Sequence, residues 1–184
     1  TSQVFVHHSK IDELAALLKR ALPKLPVGNP FDDSTFMGPI IDASAKARLL
    51  GLNELSKSAG VETLCAANDL GGAGNFLTPS LRVGDWADHD YFTNEHFGPD
   101  LVLIPIQDDD EGLKRINDLE YGLAAAVFCE DQSRFDVLAS RLRCGVVNWN
   151  RGTAGATGQL PFGGWRNSGN HRPGALFAGR LVTA

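Results

Sequence analysis

Apolar positions along this 184-residue chain recur with two periods, one near two residues and one near 3.6, and the switches between them mark out the elements. Residues 4–7 are rich in β-formers and predict a short strand. Ser9 stands where an N-cap would, with Asp12 three residues on, and Ile11, Leu14, Leu18 and Leu22 follow at helical spacing. Pro23 and Pro26 end that helix, and residues 28–33 carry turn chemistry. A second helix is expected over residues 44–58, with Leu49, Leu52 and Leu55 on one side and Gly60 as its stop. Residues 61–66 predict a strand, 70–75 a glycine-rich turn and 76–83 another strand.

The next stretch alternates more regularly. Residues 101–106 form a continuous apolar run, as a strand buried on both faces requires. Asp108, Asp109 and Asp110 suit the positive end of a following helix, which carries Leu113 and Ile116. Residues 123–128 predict a second buried strand. Asp131 caps a third helix bearing Phe135, Leu138 and Leu142, and residues 145–148 predict a third strand. Strands alternating with helices through short loops imply parallel pairing by right-handed crossovers, hence an α/β fold with a mainly parallel sheet flanked by helices. Beyond Asn150 the periodicity dissolves into a glycine-rich segment, residues 151–174, with Pro161 and Pro173. So long a stretch of this kind is more often functional than a spacer.

Charge and composition narrow the class. Hydrophobic residues make up 43% and charged residues 21%, ordinary for a globular domain. The net charge of −5 argues against nucleic acid as a partner, which would require a basic face. No apolar run approaches the roughly 20 residues of a membrane span. Three cysteines, Cys65, Cys129 and Cys144, make no disulfide framework, so a cytoplasmic setting is expected. Thr1-Ser2-Gln3 runs at once into apolar residues without an initiator Met, which suggests a cut through a longer protein.

Several signals admit a chemical and a plain structural reading. Gly71-Gly72-Ala73-Gly74 lacks the spacing of a dinucleotide loop and reads as a turn. Gly152, Gly155 and Gly158 are followed by no P-loop lysine. His89 and His96, with Asp88 and Asp90, fit no metal-ligand spacing. None of the cysteines has the surroundings of an activated thiol. Glu95 lies beside an aromatic ring and a Gly-Pro turn just ahead of a buried strand. It is either a placed acid or an ordinary loop acid. Pro161-Phe162-Gly163-Gly164, with Ser168-Gly169, would either let the backbone approach another surface and line a pocket with Phe162, or form a tight turn.

Taken in order, five segments resemble the aldehyde dehydrogenase superfamily. They are Met37-Gly38-Pro39-Ile40-Ile41, Glu95-His96-Phe97-Gly98-Pro99, Tyr121-Gly122-Leu123-Ala124, Gly145-Val146-Val147-Asn148, and Pro161-Phe162-Gly163-Gly164 with Ser168-Gly169. The resemblance implies an NAD(P)-dependent enzyme with NAD as cofactor, working through a cysteine thiohemiacetal and thioester. The nucleophilic cysteine would directly precede Thr1, and the general base and oxyanion-hole asparagine would lie further upstream. No catalytic residue is then expected within these 184 residues, and the chain alone is expected to be inactive. Glu95 corresponds to the family's ribose-binding glutamate, Phe97 to the aromatic beside the nicotinamide and Phe162 to an aromatic of the substrate tunnel.

Asn148-Trp149-Asn150, Gly155-Ala156 and Ser168-Gly169-Asn170-His171-Arg172-Pro173 narrow the resemblance to the branch that oxidises N-succinylglutamate 5-semialdehyde in arginine degradation. Gly155, Ala156, Phe162, His171 and Arg172 are the substrate-binding residues this implies. Ala154 and the run Trp165-Arg166-Asn167 depart from that branch. The organisation implied is a catalytic domain over residues 1–173 and a segment, 174–184, leading into oligomerisation strands of a homo-oligomer. Its partner is a small acidic aldehyde, with no metal, nucleic acid or membrane. A dehydrogenase of another acidic semialdehyde, or a non-catalytic truncated domain, are the other readings.

Overall fold

The computed structural model describes residues 1–155, 157–169 and 174–181. They group into two compact units, residues 2–107 and residues 108–184 together with Thr1. The boundary expected after residue 173 borders residues outside those described. Among the described residues no helix is long and apolar enough to cross a membrane.

The first unit is built on a four-stranded sheet in the order β1-β4-β3-β2, where β1 is Gln3–His7, β2 Glu62–Cys65, β3 Ser80–Val83 and β4 Asp100–Ile106. β4 pairs parallel with both β1 and β3, and β2 closes the far edge antiparallel to β3. The apolar run of β4 follows from this central place: Val102, Leu103 and Ile104 are all buried. One cluster joins Val102 and Ile104 to Val61, Tyr91 and Phe92, with Phe5, Leu55 and Trp86 packed around it. A second joins Leu49 and Leu52 of helix α2, Ala43–Ser58, to Leu77.

Local chemistry moves some boundaries. Ser9 is not the cap of α1, Ile11–Ala21. The Ser9 hydroxyl bonds the His7 Nδ1 at 2.8 Å, and His7 itself caps a single 3₁₀ turn over His8–Lys10. α2 starts one residue early because Asp42 accepts the Ala45 amide at 2.7 Å. The strand expected over 76–83 contracts to β3 because Pro79 has no N–H to give a ladder. A one-turn helix, α3 at Asp90–Thr93, falls below what periodicity can detect.

The second unit contains α4, Asp109–Asp118, and α5, Gln132–Arg141. Asp131 caps α5 as read from the sequence, accepting the Ser133 amide, and of the three aspartates placed at the start of α4 it is Asp108 that caps, accepting the Glu111 amide. β6, Ala124–Val127, pairs parallel with β7, Val146–Trp149, and Leu113, Ala125 and Leu142 form the core against them. The expected crossover between these two strands is therefore present. The expected pairing of 101–106 with 123–128 is not, because both edges of β4 are already occupied by β1 and β3. Short antiparallel pairs complete the unit: β5, Tyr121–Gly122, with β9, Trp165–Arg166, and β8, Pro161–Phe162, with β10, Gly174–Ala175.

Candidate functional site

The loop from Asn94 to Pro99 joins α3 to the central strand β4, so its far end is fixed by the sheet. Ser80 donates its amide to the Pro99 carbonyl and Asp100 to the Gly98 carbonyl, both at 2.9 Å. Side chains along the loop divide by direction. Glu95 is exposed, and the Phe97 ring is 80% exposed. His96, between them, turns inward: its Nε2 meets the Tyr91 carbonyl at 2.8 Å, and its ring stacks on that of Tyr91. Gly98 lies so close to Leu49 that a Cβ there would collide with the leucine side chain. Phe97 has a φ of 51°, in the left-handed region, which costs a non-glycine residue about 1–2 kcal/mol. Such a conformation persists only where the surroundings impose it.

Beneath the loop lies a buried polar network. Arg82 of β3 is 0% exposed and its Nε donates to Asp100 Oδ1 at 2.9 Å. Its Nη1 donates to the hydroxyls of Ser56 and Thr63, and its Nη2 to Asn53 Oδ1. Asp100 also accepts the Tyr91 hydroxyl, at 2.7 Å, and the Ser80 hydroxyl. Burial, reinforced by the adjacent Asp100 carboxylate, pushes the Tyr91 hydroxyl far above its ordinary range, so it remains a donor. His89 serves locally, accepting the Tyr91 amide at the start of α3 and meeting Ser58 at 3.3 Å.

The tail residues of the second unit fall into two groups. Phe162 lies in β8 opposite Gly174 and is 39% exposed. Gly155 has a φ of 110°, open to glycine alone at little cost, and nothing stands near the position a Cβ would take. Ala156, His171 and Arg172 lie outside the described residues. Gly145, Gly164 and Gly169 instead interlock closely with neighbouring backbone. A Cβ on Gly145 would collide with the Gly163 carbonyl, one on Gly164 with Ser168, and one on Gly169 with the Gly164 carbonyl. The Ser168 hydroxyl accepts the Gly122 amide at 3.1 Å. Arg166, with a φ of 52°, donates to the carbonyls of Asn117, Tyr121 and Arg143. Gly163, Gly164, Ser168 and Gly169 thus make a tight turn, and Phe162 keeps an exposed face rather than joining a core.

Thr1 Oγ1 lies 2.7 Å from Thr153 Oγ1, which ties the first residue to the glycine-rich segment. The three thiols are all half-buried. Cys129 Sγ donates to the Asp131 carbonyl, and burial raises the Cys144 thiol above its ordinary value. A thiol so placed is a poor nucleophile. The 184-residue chain should therefore produce no NADH from N-succinylglutamate 5-semialdehyde and NAD; absorbance growth at the NADH band above a protein-free control would overturn this.

A profile of the aldehyde dehydrogenase family matches residues 1–180. The chain belongs to the aldehyde dehydrogenase family. N-succinylglutamate 5-semialdehyde dehydrogenase 1 of Caulobacter vibrioides is 36% identical over 168 residues, covering 91% of this chain and 35% of that protein. The N-succinylglutamate 5-semialdehyde dehydrogenase of Novosphingobium aromaticivorans is 35% identical over 177 residues, covering 96% and 37%. The structure of an aldehyde dehydrogenase from Bacillus cereus in complex with NAD+ superposes with a TM-score of 0.89 at 28% identity, over 96% of this chain and 36% of that one. The chain thus spans little more than a third of the length of the relatives it matches.

As an aldehyde dehydrogenase sequence, the chain carries motif residues that face outward, Glu95, Phe97, Gly155 and Phe162, and motif glycines that hold backbone in place. Sequence reasoning missed the support behind Glu95 and Phe97: Arg82, Asp100, Tyr91 and Arg48, which donates to the His96 carbonyl. One signal was available, a lone arginine inside the apolar strand Ser80-Leu81-Arg82-Val83. Thr153 gave none.

Proposed function

We propose that this chain is the C-terminal portion of an NAD-dependent aldehyde dehydrogenase that oxidises N-succinylglutamate 5-semialdehyde to N-succinylglutamate. The observation that carries the proposal is the Thr1–Thr153 hydrogen bond. A nucleophilic cysteine directly before Thr1 would sit beside the glycine-rich segment that holds Gly155, and an aldehyde bound there would be within its reach. The similarity to succinylglutamate semialdehyde dehydrogenases supports the substrate assignment.

The residues toward the cofactor fit it chemically. A carboxylate accepts the two hydroxyl donors of a ribose, and an exposed aromatic ring on a held backbone offers a nicotinamide a flat face. When bound, NAD supplies the hydride acceptor. Glu95 would orient the ribose and Phe97 would limit the ring's movement. Residues 1–173 would belong to the catalytic domain, and residues 174–184 would lead into the oligomerisation strands of a cytoplasmic homo-oligomer.

Substrate charge provides the test. N-succinylglutamate 5-semialdehyde carries two carboxylates, and a guanidinium can hold one of them with two parallel hydrogen bonds. In the enzyme carrying this chain, Arg172→Met should raise KM for the succinylated semialdehyde about tenfold, because a charged hydrogen bond contributes about 1.5–3 kcal/mol. Uncharged aldehydes should be nearly unaffected. Equal losses on both classes would remove Arg172 from the substrate site, and a preference for simple aldehydes would overturn the assignment itself.

A further inference from the structure

We propose that His96 is a positioning residue for the dinucleotide, and that it acts by fixing the backbone between Glu95 and Phe97. The proposal rests on the assignment of those two residues to NAD. His96 meets a backbone carbonyl at 2.8 Å. A carbonyl can only accept, so the imidazole carries its proton on Nε2 and donates it to Tyr91. The same ring lies against Tyr91, with centroids 5.5 Å apart and planes 26° from parallel. Tyr91 in turn is buried and donates its hydroxyl to Asp100, which the fully buried Arg82 holds in place. His96 therefore connects an exposed loop to the rigid interior of the first unit.

The neighbouring residue shows what this connection does. Phe97 occupies a left-handed conformation that a phenylalanine does not choose unaided. Its C-terminal side is held by Gly98 against Leu49 and by the Asp100 amide on the Gly98 carbonyl. Its N-terminal side is held by His96, through the ring and through the carbonyl that accepts from Arg48. With both sides fixed, Glu95 and Phe97 stay outward on either side of an inward histidine. Without the imidazole anchor, Phe97 can relax toward the right-handed region. That rotation carries the Glu95 carboxylate and the Phe97 ring away from their places together.

The enzyme carrying this chain tests the proposal with three variants and the cofactor NAD. His96→Ala should lower kcat about tenfold and raise KM for NAD, since small misplacements of a bound reactant are costly in rate. KM for the aldehyde and the thermal midpoint should stay close to those of the parent. His96→Gln, which keeps an amide donor, should recover most of the loss. His96→Phe keeps a ring on Tyr91 without the donor and should behave like His96→Ala; it serves in its place if the alanine variant does not fold. Parent-like kcat and KM for NAD in His96→Ala would overturn the proposal, as would equal losses in the glutamine and alanine variants. A loss that follows the thermal midpoint alone would overturn it too. Glu95→Gln, assayed alongside, separates the two levels. If it slows the enzyme and His96→Ala does not, only the positioning role fails. If neither has an effect, the assignment of this loop to NAD fails as well.

Discussion

Arg82→Met should destabilise the first unit by about 3–5 kcal/mol, the range for stranding one partner of a buried ion pair. Such a loss is a large part of a domain's total stability. Arg82 has no exposed surface and Asp100 is 7% exposed, so water cannot take over the missing interaction. The guanidinium serves four partners from three elements: Asp100 in β4, Ser56 and Asn53 in α2, and Thr63 in β2. Methionine fills a similar volume but satisfies none of them, leaving the Asp100 carboxylate, among the described residues, with the Tyr91 and Ser80 hydroxyls. Urea unfolding followed by circular dichroism measures the loss. Arg82→Met combined with Asp100→Leu should recover much of it, because the carboxylate goes too and two apolar groups fill the space. A single variant within about 1 kcal/mol of the parent would mean that this network contributes to specificity of packing and little to stability.

Glu95→Gln should leave the fold unchanged and slow aldehyde oxidation on the order of a hundredfold in the enzyme carrying this chain. The side chain is exposed, so the substitution removes no buried partner. What it changes is the acceptor: a carboxylate offers two oxygens to ribose hydroxyls and a charge that strengthens both bonds, whereas the amide offers one oxygen. Pre-steady-state absorbance of NADH formation isolates the hydride step, and the thermal midpoint serves as the control for folding. Unchanged hydride transfer and unchanged NAD affinity would make Glu95 an ordinary loop acid.

The sequence made some of this legible and hid the rest for physical reasons. α4 and α5 were readable because each carries an aspartate cap and an apolar face within one short segment. The family motifs that hold Glu95, Phe97 and Phe162 were readable because they are local. Membership of a sheet is not a local property. Residues 101–106 announce burial on both faces but not which strands supply the neighbours, and β1 and β3 took both edges. The Arg82 network was hidden for the same reason: Asn53, Ser56, Thr63 and Asp100 meet only once α2, β2, β3 and β4 are assembled. The roles of Ser9 and His7 exchanged because two polar side chains so close in sequence can cap each other as well as a helix.

The interlocked glycines of the second unit also bear on how such a sequence can drift. In an ordinary core, a residue that grows can be accommodated by a neighbour that shrinks, so paired changes open routes through sequence space. Gly145 faces the Gly163 carbonyl, and Gly169 faces the Gly164 carbonyl. Each already presents a hydrogen where a side chain would begin, and the opposing atoms are main-chain atoms that no substitution can make smaller. A change at one of these positions therefore has no compensating partner. Surrounding positions are free of this constraint, so substitution is expected to be tolerated around these glycines far more readily than at them.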